Sequence, residues 1–203
     1  LVRFELIRLS NQKHELIFTA HHMVCDGWSF GMILSELAGA YNARKSGGLP
    51  RIAPAMSFAD YARQEKCRAD SQESQVAEDY WVAKYLNGSP VLDLPTDRPR
   101  PPVKGYKGAM ESIVLDSTRF ERLKKASPAL GGTVFATLLT SFATLLHRLT
   151  GQDDLVIGVP AAGQTRIGCD ELIGHCLNFL PLRLHPGSER NFKEFAAEVR
   201  ETV

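Results

Sequence analysis

The string His21-His22-Met23-Val24-Cys25-Asp26-Gly27-Trp28 gathers two imidazoles, a thiol and a carboxylate within eight residues. An imidazole titrates near neutrality, so a histidine at the end of a strand can accept or donate a proton. Asp26, four residues beyond His22, adds a short carboxylate, and Gly27 beside it is expected to permit a tight or left-handed turn. If a helix begins there, its unpaired N–H groups and positive end help to hold a reactive oxygen. The same residues also have plainer uses. His22 can be a packed or solvated strand-end residue, and Asp26 can simply cap the helix. Zinc bound by His21, His22 and Cys25 is the weaker reading, because successive residues leaving a strand point to opposite faces. Nothing in the sequence marks the Cys25 thiol as activated. Trp28 and Ser29 read as helix-start packing and capping.

The elements that must position this string are legible from periodicity. Residues 2–9 and 14–20 run in the β manner around Ser10-Asn11-Gln12-Lys13, which predicts an antiparallel hairpin ending at the two histidines. Phe30, Ile33, Leu34, Leu37 and Tyr41 then recur at helical spacing until Gly47-Gly48 and Pro50. Ser57 is placed to cap a helix over 58–70, with Asp60 in its first turn, and a second polar helix follows over 73–86. Five prolines between 90 and 102 make a stiff connector. Beyond it the pattern predicts a strand over 109–115, a helix over 117–127 and an apolar helix over 133–149 with Gly151 just past its end. A short strand over 155–159 is expected to stop at Pro160, followed by a strand over 176–184 and a helix over 191–203. Each half mixes strands and helices, which makes the chain α/β, arranged as two sandwich lobes.

The balance of 24 Lys and Arg against 23 Asp and Glu gives no field for nucleic acid or an anionic membrane, and no apolar run is long enough to span a bilayer. Cys25, Cys67, Cys169 and Cys176 form no CxxC pair, which fits a reducing, cytoplasmic compartment. The chain opens on strand-like residues without an initiator methionine and closes inside a helix-like run. It is therefore expected to be an internal fragment, with both lobes truncated.

Five motifs in order carry a resemblance. His21 to Gly27 matches the HHxxxDG string of the condensation domains of non-ribosomal peptide synthetases, a branch of the chloramphenicol-acetyltransferase-like acyltransferases. Phe58-Ala59-Asp60-Tyr61-Ala62 resembles that family's Y-x-D-[FY]-A motif, and Leu94-Pro95-Thr96-Asp97-Arg98-Pro99-Arg100-Pro101 its proline-rich connector. Leu146-His147-Arg148-Leu149-Thr150-Gly151-Gln152-Asp153-Asp154 and Ile173-Gly174-His175-Cys176-Leu177-Asn178-Phe179-Leu180-Pro181-Leu182-Arg183 resemble motifs of its second lobe.

The resemblance implies two chloramphenicol-acetyltransferase-like two-layer sandwich lobes. Residues 1–95 would belong to the histidine-bearing lobe, 96–108 to the connector and 109–203 to the second lobe. It also implies formation of an amide bond between two carrier-bound thioesters, with His22 taking the amine's proton or orienting the amine. By the resemblance no cofactor or metal would be bound directly, and the substrates would arrive on the 4'-phosphopantetheine arms of upstream and downstream carrier proteins, beside an adenylation domain. His21 would support the loop, Asp26 would pair with an arginine, Gly27 would let the backbone approach the reaction, and Asn178 would face the substrate tunnel. Two departures bear on this. The intact histidine string argues against heterocyclisation, and Gln164 stands where many relatives carry Arg, with Arg166 two positions later. The alternatives are an epimerisation relative and a carrier-docking platform without chemistry.

Overall fold

The computed structural model describes residues 1–50, 54–103, 105–166 and 168–203. Lys104 of the connector and the side chain of Arg166 lie outside what is described. The residues group into two compact units, Leu1–Leu86 with Pro160–Phe179, and Asn87–Val159 with Leu180–Val203.

In the first unit, β1 (Val2–Arg8) and β2 (His14–Ala20) form the expected antiparallel hairpin, with Phe4 opposite Phe18 and Leu6 opposite Leu16. Phe18 stacks on Phe4 with ring centroids 4.7 Å apart, and on Phe30 of α1 (Gly27–Lys45) at 5.6 Å. This aromatic run joins the hairpin to the helix immediately beside the histidines. Next come α2 (Phe58–Ala69) and α3 (Gln72–Tyr85). Ser57 caps α2, its hydroxyl accepting from the Ala59 N–H, with Asp60 in the first turn. These two features are as expected.

The second unit is built on α5 (Val134–Thr150), whose apolar stripe packs Ala136, Leu139 and Ala143 against Phe195 and Val199 of α7 (Phe192–Thr202). Leu182 and Leu184 of β4 (Leu177–Leu184) complete this core, flanked by Ile157 and Val159 of β3 (Leu155–Ala162). Hydroxyls buried along α5 return to the preceding turn, as Thr140 Oγ1 does to the Ala136 carbonyl at 2.7 Å, so the apolar helix carries them satisfied. Gly151 ends α5 at φ 69°, the left-handed cap its position suggested. Asn191 opens α7 with a reciprocal capping box to Glu194. Arg183 clamps Asp154 through two nitrogens at 2.9 and 2.6 Å, and Gln152 accepts from the Asp93 N–H while donating to the Val91 carbonyl. The start of the proline-rich stretch is thus tied to the turn after α5.

Two expectations fail. Residues 109–115 form no strand; Met110, Ile113 and Val114 are almost fully exposed, ahead of α4 (Ser117–Ala129). A strand exists only by pairing, and this segment has no ladder partner among the described residues. Nor does Pro160 stop β3, which continues to Ala162. Among the described residues β3 pairs only with β4, so it is an edge strand, where a missing N–H is tolerated.

Candidate functional site

The histidine string occupies the transition from β2 to α1. The His21 N–H extends the hairpin by donating to the Leu1 carbonyl at 2.8 Å, and a turn closes with the Val24 N–H on the His21 carbonyl at 3.0 Å. His21 Nδ1 accepts from the Met23 N–H at 3.1 Å, so its own proton sits on Nε2 and the ring braces the loop. Asp26, extended at ψ −176°, is the N-cap of α1 and accepts from the Ser29 N–H at 2.8 Å.

Capping is only a fraction of what Asp26 does. Its carboxylate is 2% exposed and collects four donors. Oδ1 takes the Ser29 N–H and lies 2.8 Å from the Ser29 hydroxyl; Oδ2 takes the Gln164 amide and the Cys176 N–H, each at 3.0 Å. Burial pushes this carboxyl up, but the Ser29 N–H, the Gln164 amide, the Ser29 hydroxyl and the Cys176 N–H together outweigh it and hold the pKa below the ordinary value. The amide of Gln164, the residue standing where many relatives carry arginine, donates to Asp26 and is itself completely buried. Its other amide atom, Oε1, is buried without a hydrogen-bond partner among the described residues.

Three segments converge on Asp26. The first is the loop into α1. The second is α6 (Gly163–Arg166), which carries Gln164, and the third is the stretch 173–176. Ser29 Oγ joins the first and third, lying 2.9 Å from the Gly174 carbonyl and accepting from the Gly174 N–H at 3.0 Å. Trp28 Nε1 donates to the Asp170 carbonyl at 2.8 Å. Backbone contact is close enough to demand glycine twice. A Cβ on Gly163 would stand 2.6 Å from the Cys176 carbonyl oxygen, and one on Gly174 would stand 2.2 Å from the Phe58 ring. The motif on α2 thereby acquires a physical role, since Phe58 covers Gly174 and the Tyr61 hydroxyl lies beside Gly163.

The thiols are quiet. Burial, reinforced by the Asp26 charge, pushes both Cys25 and Cys176 up, so they stay protonated near neutrality. No group of three His, Cys, Asp or Glu among the described residues is placed to hold a metal ion.

His22, unlike Asp26, is exposed. It lines an open cleft of about 280 Å³ with Phe18, Ala20, Cys25, Asp26, Gly27 and Phe30. Its Nδ1 meets Nδ1 of His175 at 3.0 Å, with the rings edge to face. Gly27 opens α1 without a positive φ, and a Cβ there would meet nothing within 4 Å. Of the tight or left-handed turn that it was expected to permit, the left-handed form is absent; the residue leaves the cleft wall bare. Asn178 is exposed at the start of β4, where its Oδ1 accepts from the Phe179 N–H at 2.9 Å. No hydrogen bond links it to either histidine among the described residues.

The string itself was readable in the sequence. Gln164 and His175 as its partners were not, because they lie 138 and 153 residues away from Asp26 and His22. The one available signal was Gln164 standing in an arginine's place.

Comparison with known proteins agrees with this geometry. The Condensation domain family model matches residues 1–203. A linear gramicidin synthase polypeptide of Brevibacillus parabrevis is 40% identical over the whole chain, and malpibaldin synthetase of Mortierella alpina is 37% identical. The chain spans 3% and 4% of their lengths. Among solved structures, the first condensation domain of the CDA synthetase superposes with a TM-score of 0.81 at 26% identity, the chain covering 44% of it. An X-domain from teicoplanin biosynthesis, solved in complex with OxyB, gives 0.80 at 30% identity, with 46% of it covered.

Proposed function

From the premise that this chain belongs to the condensation domain family over its full length, we propose that it serves amide-bond formation in non-ribosomal peptide synthesis. The observation that carries the reading is the division of labour in the string. The buried, charged Asp26 is consumed by four structural hydrogen bonds, whereas His22 is exposed on the cleft. Of the two, His22 is the one whose ring is exposed to meet a substrate.

The reaction joins an acyl or peptidyl thioester on one carrier to the amine of an aminoacyl thioester on the next. The amine lone pair forms the C–N bond at the thioester carbonyl, His22 takes or steers the amine proton, and the C–S bond breaks. The proton leaves with the released thiolate, so acid–base catalysis closes on itself. Positioning and proton transfer can each supply a factor on the order of a hundred. Gly27 keeps the cleft wall open so that its backbone can approach the reacting carbonyl. Asn178 faces the acyl chain in the tunnel, in a two-lobe arrangement of the chloramphenicol-acetyltransferase type. The substrates ride on 4'-phosphopantetheine arms of upstream and downstream carrier domains, next to an adenylation domain, in the cytoplasm. The relatives support this setting because they are synthases and synthetases of which the chain spans a few per cent.

A second reading, docking without chemistry, draws on the likeness to the X-domain solved in complex with OxyB. The parent synthetase with both carriers loaded separates the readings. Mass spectrometry of the downstream carrier should show the amide product. Deuterium incorporation at the α-carbon without amide would indicate epimerisation, and carrier binding with neither change would indicate docking alone.

A further inference from the structure

We propose that His175 is a positioning residue for His22. In this pairing the His22 Nδ1–H donates to Nδ1 of His175, which leaves the lone pair of His22 Nε2 for the amine. The inference rests on the reading of His22 as the group that meets the amine, and it selects between the two forms that His22 can take. Two nitrogens 3.0 Å apart cannot both be acceptors; one ring supplies the N–H and the other the lone pair. If His175 donated, the proton of neutral His22 would sit on Nε2. That nitrogen could then only donate, for instance to the oxygen of a tetrahedral intermediate. With His22 donating, Nε2 accepts from the amine N–H or takes its proton, and the Nδ1–H remains bonded to His175 when His22 becomes imidazolium. A neighbouring group that fixes a catalytic imidazole's tautomer and orientation is a general device, and a neutral ring nitrogen serves it here where a carboxylate often does.

The surroundings leave this assignment to His175. The nearby carboxylate, Asp26, is buried and spent on Ser29, Gln164 and Cys176, and no hydrogen bond joins it to His22 among the described residues. His175 is itself held on a constrained stretch. The Gly174 N–H is bonded to Ser29 Oγ, the Cys176 N–H to Asp26 Oδ2, and the Phe58 ring closes over Gly174. The backbone on both sides of His175 is therefore pinned to the loop that carries His22. The buried network around Asp26 sets the distance between the two imidazoles without touching either ring.

Two measurements test this together. In the full synthetase with loaded carriers, single-turnover amide formation should fall roughly two- to tenfold in His175→Leu, the factor that one net hydrogen bond supplies. His175→Asn, whose side-chain oxygen can stand near the lost Nδ1, should return the rate to within about twofold of the parent if that one bond is what was lost. In long-range proton–nitrogen NMR spectra of the same protein carrying labelled histidine, His22 should show a protonated Nδ1 and a bare Nε2 in the parent, and lose that bias in His175→Leu. A bare Nδ1 on His22 in the parent would overturn the proposal. So would an unchanged rate and tautomer in His175→Leu when His22→Ala is inactive. Should His22→Ala keep full activity, the functional reading fails instead, and the NMR result still decides the pairing.

Discussion

Asp26 and Gly27 sit side by side in the string yet answer to different physics. Asp26 is held below the ordinary carboxyl pKa because its four donors outweigh the burial that pushes it up. A depressed folded pKa means that its stabilisation is fully present above the unfolded value of about 3.9 and disappears as pH falls through the lower folded value. Thermal melts of the parent and of Asp26→Asn across the acid range should therefore diverge most above about pH 4 and converge below it. At neutral pH the substitution should cost roughly 2–4 kcal/mol, because it turns a charged acceptor into an amide whose own N–H groups face the Gln164 and Cys176 donors. Gly27 should behave in the opposite way. Its φ is not positive and a Cβ meets nothing within 4 Å, so Gly27→Ala should leave the folding stability unchanged or raise it by about 0.5–1 kcal/mol. If Gly27 keeps the reacting carbonyl's approach open, the same substitution should lower the rate of amide formation. A normal rate would remove it from the site.

At the scale of elements, the site depends on a three-way junction that no local pattern announces. The hairpin, the cap at Ser57 and the left-handed end at Gly151 were legible because each depends on residues a few positions apart. The strand over 109–115 was misread because alternation records a tendency, whereas a strand needs a partner, and residues such as Ile113 have none among the described ladders. Pro160 was misread because its lost N–H matters only in a strand paired on both sides. The Asp26 partner was illegible for a third reason, since a contact made across 138 residues leaves no periodic trace. The junction makes a pairwise prediction. Gly174→Ala drives a methyl against the Phe58 ring and should destabilise by about 1–3 kcal/mol. In a Phe58→Ala background the clash is gone, so a double-mutant cycle by denaturant unfolding should show a coupling of at least about 0.5 kcal/mol. Additive effects would mean that Phe58 does not cover Gly174.

Across the whole molecule, the two units differ in how much apolar surface they seal. The second has a contiguous core from Ala136 to Val199, whereas the first leaves Leu6, Leu34, Leu37 and Tyr41 largely open along the groove between the hairpin and α1. The 203-residue chain alone should therefore bind a hydrophobic dye, and Leu6→Lys should reduce that signal. A sharp cooperative melt with no dye binding would show that this surface is covered. The family was readable from five motifs in order, and the match over residues 1–203 bears that out.

The most direct measurement is the single-turnover rate of amide formation by the full synthetase with both carriers loaded, for the parent and for His22→Ala, with circular dichroism to establish an unchanged fold. We expect a loss of roughly a hundredfold or more, the factor a well-placed acid–base group contributes, with residual activity from positioning alone. An undiminished rate in a folded His22→Ala protein would contradict the account.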